Sequence, residues 1–492
     1  MMGKNLFVIL AAFAAFALSS CTGSIEVEGS IDSLPPIFPD YTGVTVPENI
    51  APLNFRVDDS VEADDFAVSL TAGEKTVLLR GREFDIPVAD WKDLTGSGED
   101  ISAIVMVKDG GKWKAYNPFK IAVSRDRISD HLAYRLIEPG YVSWHKLGLF
   151  QRDLESFSSS AIITNESTDH NCMNCHSFAA RNPSRMVFHM RAENGGTYLW
   201  YDGRLEKLNT KTPETISALV YPYWHPDGKL VAFSVNDTKQ AFHSTDPNRC
   251  EVYDNASDIV VYDVARHEIV SAPFLMQPDV FETYPSFSPD GKTLYFCSAP
   301  GKDMPDEYKE VRYSICSVDF DPATLTFGST VDTLYNSRET GRSAVFPRVS
   351  PDGNFLMFTE TAYGCFPIWH KDADLGMIDL RSGGRIDLSA ANSPDVDSYH
   401  SWSSDSRWVA FSSRRIDGLY TRPFICHISE DGVPSKPFLL PQKDTRFYGR
   451  FMKSFNIPEL IDGPVTASPE EITAFAKSDH GVDITFKKNQ QL

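Results

Sequence analysis

The 492-residue sequence predicts an all-β fold in which an N-terminal β-sandwich-like domain is followed by a β-propeller. Three observations carry that expectation. One segment type recurs at residues 221–234, 284–297, 346–359 and 399–412: an aromatic-led strand, a Ser/His-Pro-Asp-Gly or related turn, and a second apolar strand ending in Phe and a small residue. The copies start roughly 50 to 60 residues apart, the period of propeller blades built from four strands. Upstream of them the chain alternates apolar and polar residues in short runs bounded by Gly, Pro and Asp, which is strand patterning and not helical periodicity.

Taken in order, residues 1–20 (MMGKNLFVILAAFAAFALSS) carry a lysine, an apolar run and then small residues, the pattern of a signal peptide. Cys21 follows at once, so the segment resembles a bacterial lipoprotein signal in which that cysteine becomes the lipid-bearing first residue. An acyl-anchored Cys21 puts the rest of the chain outside the cytoplasm, in the cell envelope, facing the periplasm or the exterior. No later stretch approaches the roughly 18 apolar residues of a spanning helix.

Residues 21–32 read as a polar tether, and 33–130 as the sandwich-like domain, with a hairpin turn at Asp109-Gly110-Gly111. Residues 131–170 are a connector that contributes strands to a closing blade, and 171–455 form the propeller. In each turn proline presets φ, aspartate bonds its own backbone and glycine supplies positive φ. Asp227, Asp290 and Asp352 are therefore turn formers and not catalytic carboxylates. The segment from Cys175 through residue 190 aligns with the copy at Tyr399, giving a fifth blade that is first in sequence. A sixth is assembled from both ends, with residues 446–453 joining 148–154 and 161–164, and such closure removes open sheet edges. Six blades are expected in preference to five. Insertions between second and third strands build one elaborated face. The tail, 456–492, carries Ser468-Pro469-Glu470-Glu471, a capping box that starts a short helix.

Net charge is −20 and no basic run occurs, which argues against nucleic acid as a partner. Of the eight cysteines, Cys297 and Cys316 are the one pair outside the motif below on neighbouring strands, where a bridge is worth testing.

The chemistry-bearing motif is HNCMNCHSF at residues 170–178. C-x-x-C-H is the spacing of c-type haem attachment, with Cys172 and Cys175 as thioether sites and His176 as proximal ligand. His400, at the register position of His176 in another blade, is the first candidate for the distal ligand, ahead of Met186, Met190 and His225. A zinc or other metal site is the second reading, although no second CxxC offers a fourth ligand. A disulfide or redox dithiol is the third. His370, Asp372 and Asp374 form the densest other polar cluster, read as a solvated insertion loop in preference to a metal site.

The repeats, typified by YPSFSPDGKTLYF, resemble the TolB-type, WD40-like propellers of bacterial envelope proteins. The segments NCMNCHSF, IWHKDADL, DGLYTRPF and KPFLLPQ are similar to those of Bacteroidetes lipoproteins that pair such a propeller with a single CxxCH. Related propellers precede the hydrolase domain of prolyl-oligopeptidase-like enzymes. Here no G-x-S-x-G occurs, so no classical enzyme is expected. Two functions follow as expectations. One is electron transfer or haem-based sensing by a haem c propeller docked to a partner. The other is a non-redox binding or scaffold lipoprotein, whose propeller face takes an envelope protein, peptide or glycan and whose CxxC pair is a disulfide or metal staple. A haem peroxidase lacks a distal acid-base pair in the sequence.

Overall fold

The computed structural model describes residues 25–139, 146–478 and 480–487. The signal segment and Cys21 lie outside the described residues. Six four-stranded blades surround one axis, the first five each with its first strand innermost. The first comprises Met173–Phe178, Arg185–Met190, Gly196–Tyr201 and Arg204–Asn209. The next four begin at Leu219–Trp224, Val280–Phe287, Ser343–Val349 and Asp397–Trp402.

The sixth blade closes the ring with its innermost strand, Ser454–Ile461, paired antiparallel to His131–Ile137. That strand in turn pairs with Gly148–Asp153, which pairs with Ser159–Thr164. The two ends of the propeller thus meet in one sheet. This corrects the expected boundary: the strand begins at Ser454, and residues 446–453, expected to join the blade, instead hold the short helix Phe447–Arg450. The propeller accordingly runs through Ile461. The tail helix Pro469–Ala476 has the predicted capping box, with Ser468 accepting from Glu471 N–H at 3.1 Å. Beyond it, Val482–Asp483 and Thr485–Phe486 add in parallel to the outer strands of the first and second blades.

The N-terminal domain has a seven-stranded mixed sheet and a three-stranded one. Phe55 of the small sheet meets Phe119 of the large one, ring centroids 6.4 Å apart. The helix Val88–Thr95, not foreseen from the strand patterning, buries Trp91 and Leu94. One apolar cluster runs from this domain into the fourth and fifth blades, through Trp91, Phe355, Trp408 and Phe438.

The repeated turns follow their predicted chemistry. Asp290 Oδ1 accepts from the Ser288 hydroxyl and from Lys292 N–H, and Asp352 does the same with Ser350 and Asn354. Gly291 sits at φ 72, and in the fifth blade Ser406 takes that conformation at φ 65.

A second repeat emerges that the patterning did not reveal. Each innermost strand breaks register once, at a residue with left-handed backbone: Cys175, Tyr221, Tyr284, Phe346, Tyr399 and Ile457, φ 50 to 57. Bulky residues rarely adopt that conformation. Here the bulge turns four aromatic rings into one chain of contacts. Tyr221 meets Tyr284 at 4.7 Å, Tyr284 meets Phe346 at 4.1 Å, and Phe346 meets Tyr399 at 4.6 Å between centroids. Each such contact adds about 0.5–1.5 kcal/mol beyond burial. Together these side chains plug the channel.

Candidate functional site at the channel mouth

On the side of the plug where the short turns lie, the innermost strands end around a cavity of about 310 Å³. The residue after each left-handed position is Pro222, Pro285, Pro347 or Pro458 in four blades and His176 or His400 in the other two. One position further along stand Ser177, Tyr223, Ser286, Arg348, Ser401 and Glu459. Nine of these twelve residues line the cavity, the exceptions being Pro285, Ser286 and Pro347. Neighbouring blades are tied at this level: Trp224 Nε1 donates to Ser177 O at 3.1 Å, Trp402 Nε1 to Arg348 O at 3.2 Å, and Phe178 N–H to Glu459 Oε1 at 2.9 Å.

His176 and His400 flank the sixth blade and its Glu459. Both imidazoles are buried, 5% and 6% exposed, and their ring nitrogens make no well-formed hydrogen bond, with the Ile457 backbone beside His176 and the Met357 backbone beside His400. Glu459 Oε2 lies 3.8 Å from His176 Nε2. Burial holds the two imidazoles neutral, with pKa values down at about 4 for His176 and about 3 for His400, where Arg348 adds to the effect. Burial pushes the Glu459 carboxyl the other way, to about 8, in spite of Arg348 and Arg181 nearby. At neutral pH the cavity therefore holds neutral hydrogen-bonding groups beside two guanidinium ions.

The remaining motif residues go elsewhere. Cys172 packs with Met173, Phe188, Tyr198 and Trp200 between the sixth and first blades, its sulfur 3.5 Å from Arg135 Nη2. Cys175 occupies the sixth position of the plug ring, where burial raises its thiol pKa. Covalent haem needs both sulfurs and the histidine on one cavity, because the thioethers and the iron belong to a single ring system. Only His176 of the three lines the channel-mouth cavity. As folded, the three residues do not share the one cavity that the group would need, and they do not fit it.

The other proposed ligands are also committed. Met186 and Met190 are fully buried in the same core as Cys172. His225 takes the place of the turn serine, its Nε2 3.0 Å from Gly291 O. Among the described residues, Cys172 and Cys175 are unbridged, and no three His, Cys, Asp or Glu side chains are placed to hold one metal ion.

Two further expectations are corrected. Cys297 pairs across the ladder with Ile315 and not with Cys316. That one-residue offset sends the two sulfurs to opposite faces of the sheet, and both are free. His370 is not solvated: it is 1% exposed, with Nε2 3.0 Å from Glu251 and Nδ1 3.0 Å from Thr361. Tyr363 also donates to Glu251, at 2.7 Å. This satisfied network ties the long hairpin of the second blade to the insertion of the fourth, over the insertion face.

Sequence reasoning found His176 and His400 but missed Arg348, Glu459, Arg181 and Tyr223. The missing signal is a sixth copy of the inner strand, Ile457-Pro458-Glu459-Leu460, which aligns with Tyr221-Pro222-Tyr223-Trp224 and Phe346-Pro347-Arg348-Val349. Charged residues at a position that elsewhere holds serine or tyrosine would then have stood out.

No protein-family model matches the chain, and no curated protein matches it. Solved structures do. A puromycin-hydrolysing peptidase of Mycobacterium tuberculosis is 12% identical with a TM-score of 0.35, over 81% of this chain and 57% of that one. The β-propeller domain of the Trilobed protease from Pyrococcus furiosus, described as having an open velcro topology, is 12% identical with a TM-score of 0.33, over 70% of this chain and 96% of that one. Prolyl oligopeptidase B of Galerina marginata is 11% identical with a TM-score of 0.34, over 80% and 54%. The chain spans a little over half of the first of these.

Proposed function

We propose that this chain is a lipid-anchored, extracytoplasmic binding propeller, non-redox in its action, which takes a small ligand or a chain end into the cavity at its channel mouth. The observation that carries the reading is the cavity itself, which the buried imidazoles of His176 and His400 line together with Arg348 and Glu459. Unpaired buried polar groups cost about 1–3 kcal/mol each, and a ligand that bonds them recovers that cost. The cavity is at the small end of the roughly 300–1,000 Å³ typical of ligand sites. It suits a compact molecule or a terminus better than the middle of a polymer.

The test uses Ser177→Tyr, which copies Tyr223 of the next blade and fills the cavity. Small molecules that bind wild type in a ligand-observed NMR screen should lose binding to this variant, while its melting temperature stays near that of wild type. Hits that bind both forms equally would refute the site. The C-x-x-C-H spacing favours a rival reading, electron transfer or sensing through haem c. Production with the c-type maturation machinery should give a chain without a Soret band and without haem-stained product in denaturing gels. Stoichiometric covalent haem would establish the rival.

A further inference from the structure

Arg348 is the least compensated charge in the cavity. Its guanidinium lies 4.6 Å from the Tyr223 ring centroid, and its Nη1 donates to Pro347 O at 2.8 Å. Stacking and bond fix its direction, yet no ion pair among the described residues includes it. Arg181, at the rim, has its Nε 3.7 Å from Asp462. Glu459 is the carboxyl best placed to neutralise Arg348, and it is spent on the Phe178 amide. A poorly solvated guanidinium without a counter-charge is costly, and a carboxylate meets its fork with paired hydrogen bonds. Around it the wall is apolar: Phe178, Trp224, Pro226, Phe287, Pro289 and Trp402.

We infer, resting on the binding reading above, that the cavity receives the carboxylate of a compact apolar organic acid, with Arg348 as the seat of the anion and the apolar wall around its body. The acid belongs either to a free small molecule or to the C-terminal residue of a peptide, and both present the same chemistry. His176 and His400 bond the polar atoms next to the carboxylate. Glu459 faces His176 and Arg181 of the first blade, His400 of the fifth and Arg348 of the fourth, with Asp462 at the end of its own strand. Held protonated up to about pH 8, Glu459 donates a hydrogen bond to the bound anion. Above that pH it ionises and repels the ligand. Affinity is therefore greatest on the acid side and falls as pH rises through about 8.

The experiment is calorimetric titration of the mature chain with phenylpropionate, its primary amide and phenethylamine, and with N-acetyl-Ala-Phe as free acid and as amide. The acids should bind at least roughly tenfold more tightly than the matched amides, the loss of a charge-assisted bond. Arg348→Gln should remove that preference, and Arg348→Lys should restore part of it. Tighter binding of phenylpropionate assigns a free acid, and tighter binding of the peptide acid assigns a chain terminus. For wild type the acids should weaken between about pH 6.5 and pH 9.5, and in Glu459→Gln the ratio of the two affinities should collapse towards one. This second variant keeps the inference open to refutation if Arg348→Gln fails to fold. Amides or the amine binding as tightly as the acids, with Ser177→Tyr blocking them, would overturn the acid inference and leave the binding site standing. No binding by any probe would overturn both.

Discussion

Around the channel, four blades follow the left-handed residue with proline and two follow it with histidine. The backbone at this position accepts proline, so the imidazoles are not there to shape the strand. His400→Pro should change the unfolding free energy by less than about 1 kcal/mol, as expected for proline at a compatible site. The same substitution should weaken ligand binding, because two hydrogen-bonding nitrogens leave the cavity. Chemical denaturation beside a binding titration checks the pair. Equal loss of stability and binding would make His400 a structural residue. His176 and His400 were legible in the sequence because they share a register in two copies of one repeat. Glu459 was not, because its copy lacks the aromatic residue and the Pro-Asp-Gly turn by which the others are recognised, and Arg348, in a recognised copy, stands out as a site residue only beside Glu459. The haem expectation came from the C-x-x-C-H spacing in an exported chain and from the resemblance to single-CxxCH lipoproteins, and none of these says that a bulge at Cys175 sends its thiol into the plug.

At the scale of elements, the ring depends on a strand contributed from the far end of the chain. Ser454–Ile461 is the innermost strand of its blade and pairs with His131–Ile137 along most of its length. Ending the chain before Ser454 leaves an inner edge open in the sixth blade and removes Glu459 from the cavity. That truncation should yield aggregated protein, since an open apolar sheet edge templates association. Ending it after Lys477 removes, from the described residues, the two short strands that cover the outer edges of the first and second blades, with the buried Ile484 between them. The second truncation should stay soluble, with a lower melting temperature and faster amide exchange in Arg204–Asn209 and Glu268–Val270. Sequence patterning recognised that both ends build one blade, yet it placed the C-terminal strand about eight residues early. The segment 446–453 has the aromatic content of a strand. What separates it is tertiary: Arg422 donates to the carbonyls of Tyr448, Phe451 and Lys453, which holds that stretch as a compact turn of helix and loop.

Over the whole molecule, buried acids tilt the pH dependence of stability. Glu282 is fully buried, and burial with Asp258 nearby raises its pKa to about 9 in spite of the Gln277 backbone beside its carboxyl. Asp254 is raised to about 7 and Glu459 to about 8, in each case by burial first. A carboxyl whose folded pKa lies above its unfolded value contributes stability in full below the unfolded value, near 4.5 for glutamate, and loses it as pH rises to the folded one. His176 and His400 act oppositely, with stability falling as pH drops below about 6.5. Glu282→Gln should therefore flatten the alkaline limb between about pH 5 and pH 9, by a few kcal/mol in denaturation midpoints converted at each pH. An unchanged slope would show that Glu282 ionises as freely folded as unfolded. The propeller itself was legible from turn chemistry and period, while the closed axis was not, because φ at an inner-strand tyrosine leaves no mark on hydrophobic patterning. That closure has a kinetic meaning. With four aromatic rings across the axis, the channel is a blind well, so whatever enters at the short-turn face leaves by the same opening. Residence time is then governed at one door, and a macromolecule seated over that face would act as its latch.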